Sequence, residues 1–332
     1  MPPTAHRTRQ PSPAVHYCYQ CFLPQAATVQ LKLCSGCRVA EYCSKECQKA
    51  AWPTHKKECG VTCKLAEATD PNLLDKVLHA FGFRTPVDSL KALNEFAQAH
   101  RWALEAHFHV AIRRKVGFKP APGDITDSIL VGNLECVAPP SSGKRLDPAS
   151  RFRLRDRFKF VPLAEFKNAS RERAEAFDRM YGESRATIQQ FHGANLLFLG
   201  GCPVAYRIWP LSVVSFSCCP IFYAVHGPHN YDDDTRREIF EDKLRLATAS
   251  INAGIVLRGV ELRGHPVPGR LVRADKIWSF EPLFKADDWE DSWAAYLAAD
   301  PRPKGVDLLD DAIARLKSGL PLLELIQVSQ VL

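Results

Sequence analysis

The sequence predicts an α+β protein in which a small cysteine-rich module precedes a larger mixed body. Three observations carry this reading. Eight of the 12 cysteines fall between Cys18 and Cys63. Downstream, apolar residues recur at helical spacing, as in Leu90, Leu93, Phe96, Ala97, Leu104, Phe108 and Ile112. Between the helical segments lie apolar, strand-like runs that do not alternate strictly with helices, which favours α+β while leaving room for a partly parallel sheet. With 332 residues, 46% of them hydrophobic, the chain has ample material for a core outside the cysteine-rich segment.

Residues 1–15 read as a flexible tail, with Pro2, Pro3, Pro11 and Pro13 among polar neighbours. The segment lacks the apolar centre of a secretory signal, and no run of about eighteen apolar residues suggests a membrane span. Crowded thiols without a secretory signal favour metal ligation in a reducing compartment over disulfides, so an intracellular protein, nuclear or cytoplasmic, is expected. The formal charge is +7, and residues 1–64 carry nine Lys/Arg against Glu41, Glu46 and Glu58, which is +6 of that total. Seven thiolates around two divalent ions would reduce the segment to +3, so its basic residues mostly compensate ligand charge. Nucleic-acid binding is therefore not expected from charge.

The candidate ligands come in pairs. Cys18 and Cys21, and Cys34 and Cys37, are CxxC knuckles, each able to turn two sulfurs toward one metal. Cys43 and Cys47, and His55 and Cys59, are four residues apart, so one helical turn places each pair on a common face. Eight ligands make two four-coordinate sites, and two zinc ions per chain are expected. Closed sites of this kind are structural, because no position remains for a catalytic water. Spacing alone leaves open whether the sites are sequential or interleaved.

The string C-x2-C, then C-x2-C-x5-C-x3-C-x7-H-x3-C, with Tyr42, Gln48 and Trp52 between the ligands, closely resembles the MYND family of zinc fingers. The resemblance covers about 45 residues. It implies a finger over residues 16–60 with a cross-brace arrangement. Cys18, Cys21, Cys43 and Cys47 would share one zinc, and Cys34, Cys37, His55 and Cys59 the other. Cys63 would be a spare thiol. It also implies that the finger docks short proline- and leucine-containing peptides of PxLxP type, extended along an edge at Val39–Ser44 beside Gln48 and Trp52. The competing role for Trp52 is packing that locks two short helices together. Locally, Leu31, Leu33, Val39 and Tyr42 suggest short strands. Ser44 suits a helix N-cap, and Pro53 is expected to separate that helix from a second turn capped by Thr54.

After a polar connector at 60–70, the body spans 71–332. Asp70-Pro71 opens one helix and Thr85-Pro86 a long one, ended by Gly117 after Arg113, Arg114 and Lys115. Strands are expected over 129–137, 152–161, 195–199, 213–216, 256–262 and 271–280. Helices are expected over 170–191, from Asp232–Asp234 to Ile251, and over 287–299 and 306–317. The terminal run LPLLELIQVSQVL reads as core or a docked strand.

MYND fingers accompany SET lysine methyltransferases and 2-oxoglutarate oxygenases, but the body contains neither an Asn-His-Ser-Cys-type motif nor any histidine in HxD spacing. His226, His229 and Asp232 make a weak metal constellation, better explained as a loop before a helix cap. Cys202 after Gly200-Gly201 is a conceivable nucleophile, though a buried thiol is the commoner outcome. With no catalytic residues identifiable, the sequence favours a non-enzymatic adaptor that binds zinc and proteins. The alternative is an enzyme of unspecified type in residues 71–332 with the finger as its recruitment module.

Overall fold

The computed structural model describes residues 18, 20, 28–36, 40–67, 71–117, 127–139, 146–168, 171–195, 197–209, 213–222, 231–259, 266–274, 277–283 and 306–327. The helix expected over 287–299, together with His226 and His229, lies outside them. The protein is α+β, with an N-terminal cysteine-rich finger followed by a larger mixed body.

The finger pairs two short strands, β1 (Lys32–Leu33) and β2 (Glu41–Tyr42), antiparallel with Lys32 opposite Tyr42. Ser44 does cap the next helix, its Oγ accepting from the Cys47 amide at 3.1 Å. That helix, α1 (Lys45–Glu67), runs unbroken through Pro53, so the expected division into two short helices is corrected, and so is the expected connector over 60–67. Pro53 removes only one backbone bond from the ladder, and ligands on either side of it anchor the helix.

In the body, α2 (Pro71–Ala80) leads to α3 (Pro86–Ala99) and α4 (Arg101–Val116). Thr85 Oγ1 accepts from the Asp88 amide, and Gly117 ends α4 with φ of 75°. The single long helix expected here is in fact two, broken at His100. His100 is buried, with Nε2 against the Ala149 carbonyl oxygen at 2.9 Å and its ring beside Phe96. A tertiary hydrogen bond thus decides a break that apolar periodicity could not show.

The large sheet has order β4-β3-β6-β7, with β5 pairing a second stretch of β3. Its strands are β3 (Ser128–Cys136), β4 (Phe152–Leu154), β5 (Lys159–Pro162), β6 (Phe198–Trp209) and β7 (Val213–Phe222). The run expected as one strand over 152–161 is two, β4 and β5, pairing with different halves of β3. β3 and β6 are parallel, and the crossover between them includes α5 (Leu163–Asn168) and α6 (Arg171–His192). Helices cover both faces: Leu130 and Leu134 of β3 join the core shared with α3 and α4, whereas Ile129 and Val131 join Phe166 and Phe177 of α5 and α6. Burial on both sides explains why β3 reads as a nearly continuous apolar run. Gly132 in that strand is required, since a Cβ there would sit 2.2 Å from the Phe158 ring.

The long helix α7 (Asp233–Ala253) starts at Asp232, whose Oδ1 accepts from the Thr235 amide at 2.7 Å. It packs on α4 and carries the chain into a three-stranded antiparallel sheet ordered β10-β9-β8. Those strands are β8 (Val256–Gly259), β9 (Pro266–Ala274) and β10 (Ile277–Pro282). Two helices follow, α8 (Val306–Ala314) and α9 (Leu322–Gln327). Of the two expectations for the terminal run, core or a docked strand, α9 bears out the first and corrects the second: Leu322, Leu325 and Ile326 share one helical face and join the core of the smaller sheet. Asp242 of α7 is fully buried, and its Oδ2 accepts from the Lys317 and Ser318 amides at 2.8 and 2.7 Å, while Arg245 donates to its Oδ1.

Candidate metal centre

The described ligands of the finger fall into two groups: Cys18, Cys43 and Cys47, and Cys34, His55 and Cys59. Within each group the donor atoms all lie within 4.8 Å of one another. Cys21 and Cys37 lie outside the described residues. Members of the two groups alternate along the chain, which is the grouping of a cross-brace.

The geometry fits zinc. Four thiolates about 2.3 Å from a tetrahedral ion stand about 3.8 Å apart. Cys34 Sγ and Cys59 Sγ are 3.8 Å apart, and Cys43 Sγ and Cys47 Sγ 3.5 Å. Cys18, Cys34, His55 and Cys59 are buried, as closed structural sites require. Gly36, between two ligands of one knuckle, has no room for a side chain, because a Cβ there would lie 2.8 Å from Cys59 Sγ. Sequence reading passed over this glycine, although its place inside Cys34-Ser-Gly-Cys37 was the available signal.

One helix serves both groups. Cys47, His55 and Cys59 stand at multiples of four residues along α1, so they share a slowly drifting face. Cys47 belongs to one group, and His55 and Cys59 to the other.

Around the ligands, Tyr42 is buried with its ring 5.9 Å from His55, and Trp52 stands edge-on to His55 at 6.0 Å. Trp52 nonetheless leaves 46% of its surface exposed. It therefore packs on a candidate ligand and presents an apolar face at once, and with α1 unbroken there are no two short helices for it to lock together. Leu33, 41% exposed, is the finger's other large exposed apolar side chain among the described residues, and Gln48 is half-buried. The finger rests on the body through α1, which packs against α3 and α6. Lys91 of α3 donates to Glu41 Oε1 of β2 at 3.2 Å.

The other sequence candidates are weaker. Cys202 is fully buried, and burial pushes its thiol pKa far up, so it stays protonated and is no nucleophile. Asp232 is the cap of α7. Among the described residues no other group of three or more His, Cys, Asp or Glu gathers as a metal site. No helix among them is long and apolar enough to cross a membrane.

Residues 18–59 match the MYND finger family. Relatives share this region. Histone-lysine N-methyltransferase SMYD3 of Homo sapiens is 42% identical over 77 residues, covering 22% of this chain and 17% of that protein. N-lysine methyltransferase SMYD2 of Mus musculus is 37% identical over 90 residues, covering 24% and 20%. SET domain-containing protein 14 of Caenorhabditis elegans is 54% identical over 43 residues, covering 13% and 9%. The chain thus aligns with a fifth or less of the length of these relatives. No solved structure matches the chain significantly.

The expectation that favoured a non-enzymatic protein over an enzyme is corrected by this finding. The relatives named lysine methyltransferases share the finger region, which suggests an enzymatic role without showing one.

Proposed function

We propose that residues 18–59, a MYND finger, hold two zinc ions and act as a docking module that recruits a protein partner to an enzymatic body in residues 71–332. Cys18, Cys21, Cys43 and Cys47 would bind one ion, and Cys34, Cys37, His55 and Cys59 the other. The zinc ions supply rigidity, since both sites are closed to water and substrate. One observation supports docking above all: Trp52 packs edge-on against the ligand His55 while 46% of it stays exposed, a rigid aromatic wall with nothing over it among the described residues.

The partner's chemistry follows the finger family: an extended peptide rich in proline and leucine, of PxLxP type. Backbone bonds along β2 would set its register, and Trp52 with Gln48 would take its apolar and polar contacts. The enzymatic half of the reading rests on the names of the relatives. Their substrate, protein lysine, is not carried over, because the alignment covers at most 20% of them here and the body contains no Asn-His-Ser-Cys-type motif.

The test is a calorimetric titration of a PxLxP peptide into the full-length protein, with zinc measured in parallel. Two zincs per chain are expected, and a ratio near one would remove the eight-ligand assignment. Trp52→Ala with zinc retained should weaken binding by about 2 kcal/mol, the scale of an interface hot spot. Gln48→Ala should lose about 1 kcal/mol, one hydrogen bond. Equal binding by the Trp52 variant would refute the wall. No binding by the wild type would refute the peptide class.

A further inference from the structure

The crossing of α4 and α7 contains basic groups that the finger does not use. His109 and Arg113 are four residues apart on α4, hence on one face, and Lys243 on α7 stands near enough for its charge to act on His109. Val110, Phe240 and Leu244 pack tightly around the same crossing. Lys243 is 1% exposed, and its Nζ has no hydrogen-bond partner among the described residues. The half-buried His109 has its Nδ1 buried and likewise without a partner. Arg113 is 3% exposed and donates one bond to the Phe222 carbonyl oxygen, where β7 ends.

The charge balance is what makes this crossing unusual. Buried cations are ordinarily paired with a carboxylate. Here three basic groups meet in one interior region, and among the described residues no carboxylate acts on Lys243. The neighbouring acids of α7 are engaged elsewhere: Glu241 with Arg114 and Arg157, and Asp242 with Arg245 and the Lys317 and Ser318 amides. Burial alone pushes Lys243 far down from its ordinary value. Burial, helped by Lys243 and Arg113, pushes His109 down to about 4. Burial thus disfavours the charged form of both groups, and a negative charge supplied from outside the chain would favour it.

We propose that the α4–α7 crossing binds a small oxyanion, a phosphate or a carboxylate group, with Lys243 Nζ and His109 Nδ1 donating to it and Arg113 adding the permanent charge. Such a ligand would restore charge balance and satisfy the two unpartnered atoms together. The site is independent of peptide docking at Trp52, so it stands or falls separately from the reading of the finger.

The experiment uses the full-length, zinc-loaded protein at pH 7. Inorganic phosphate in one arm and acetate in the other are titrated by calorimetry, with thermal unfolding followed in parallel. Lys243→Met and His109→Asn are the comparison proteins. Phosphate stabilises proteins in general, so the readout is the difference between wild type and variant. Saturable binding of at least one anion is expected, weakened at least tenfold in Lys243→Met and less in His109→Asn. Phosphate alone binding would identify a phosphoryl ligand, and comparable binding of both anions the shared oxyanion chemistry. Lys243→Met replaces an unpartnered buried amine with an apolar chain of similar length, so it should fold; His109→Asn serves as the second reading if it does not. Saturation by neither anion, or equal responses in wild type and variants, would overturn the proposal.

Discussion

The finger and the body hold their shapes by different means. The finger's buried apolar cluster is Cys18, Cys34, Ala40, Tyr42, Ala51 and Cys59, in which half the members are metal ligands. The body buries Phe96, Phe152, Leu104, Ile112 and Leu130 against the large sheet, and among the described residues it gathers no ligand group of its own. So little apolar surface cannot offset the ordering of some forty residues, so the finger's fold and its metal binding are one event. The body's fold is a conventional core, and its stability should not depend on metal.

The sharpest way to break this comparison is to remove the metal. Cys47→Ser, or chelation of the wild type, should unfold the finger, a loss on the order of 10 kcal/mol. Hydrogen exchange should show protection lost in β1, β2 and α1 but kept in β3, β6 and α7. Simultaneous loss in both regions would mean that the two are one cooperative unit.

Acid should act on the body in the opposite sense. Burial pushes His100 down to about 4 and His107 to about 3. Their folded values lie below the unfolded one, so the unfolded chain takes up protons first. Stability is fully present above pH 6.5 and is lost as pH falls toward 4. Each histidine costs up to about 1.4 kcal/mol per pH unit there, on the order of 5 kcal/mol for the pair. Urea midpoints of the body at pH 7, 5.5 and 4.5 check this, and His107→Gln should flatten the slope.

A smaller effect belongs to single core residues. Phe152 is fully buried, stacked on Phe83 and edge-on to Phe96 at 5.3 Å. Phe152→Ala should destabilise the body by about 4 kcal/mol while leaving zinc content unchanged. A loss of zinc in this variant would show that the finger leans on the body more than its own ligands suggest.

The smallest effect tests the seam. The pair Lys91–Glu41 is partly buried, with side-chain exposures of 25% and 15%. Lys91→Ala should cost about 1 kcal/mol and speed exchange in β2 before it changes the body's melting. An unchanged β2 would show that α1 alone joins the two regions.

The same contrast explains what could be read in advance. Ligand spacing is local, so Cys43 with Cys47 and His55 with Cys59 were legible as pairs, as were the caps Ser44, Thr85 and Asp232, which act within four residues of themselves. The break at His100 was not legible, because it answers to the carbonyl of Ala149, 49 residues away. The split between β4 and β5 depends on which half of β3 each one meets. Pro53 misled because local preference argues for a break, while ligands beyond it keep α1 whole. Lys243 left no trace in the sequence, since a lysine on a polar helix looks solvated until the facing helix is in place.

Asp242 places a special burden on the last stretch of the chain. Its carboxylate lies in the interior because the amides of Lys317 and Ser318 reach in to meet it. A chain cut before residue 317 would lose the apolar face of α9, Leu322, Leu325 and Ile326, and would also strand a buried negative charge at the middle of α7, with Arg245 its remaining donor among the described residues. The segment therefore behaves as a keystone, made after the elements it holds. Trimming this end is a far harsher operation than its modest length suggests.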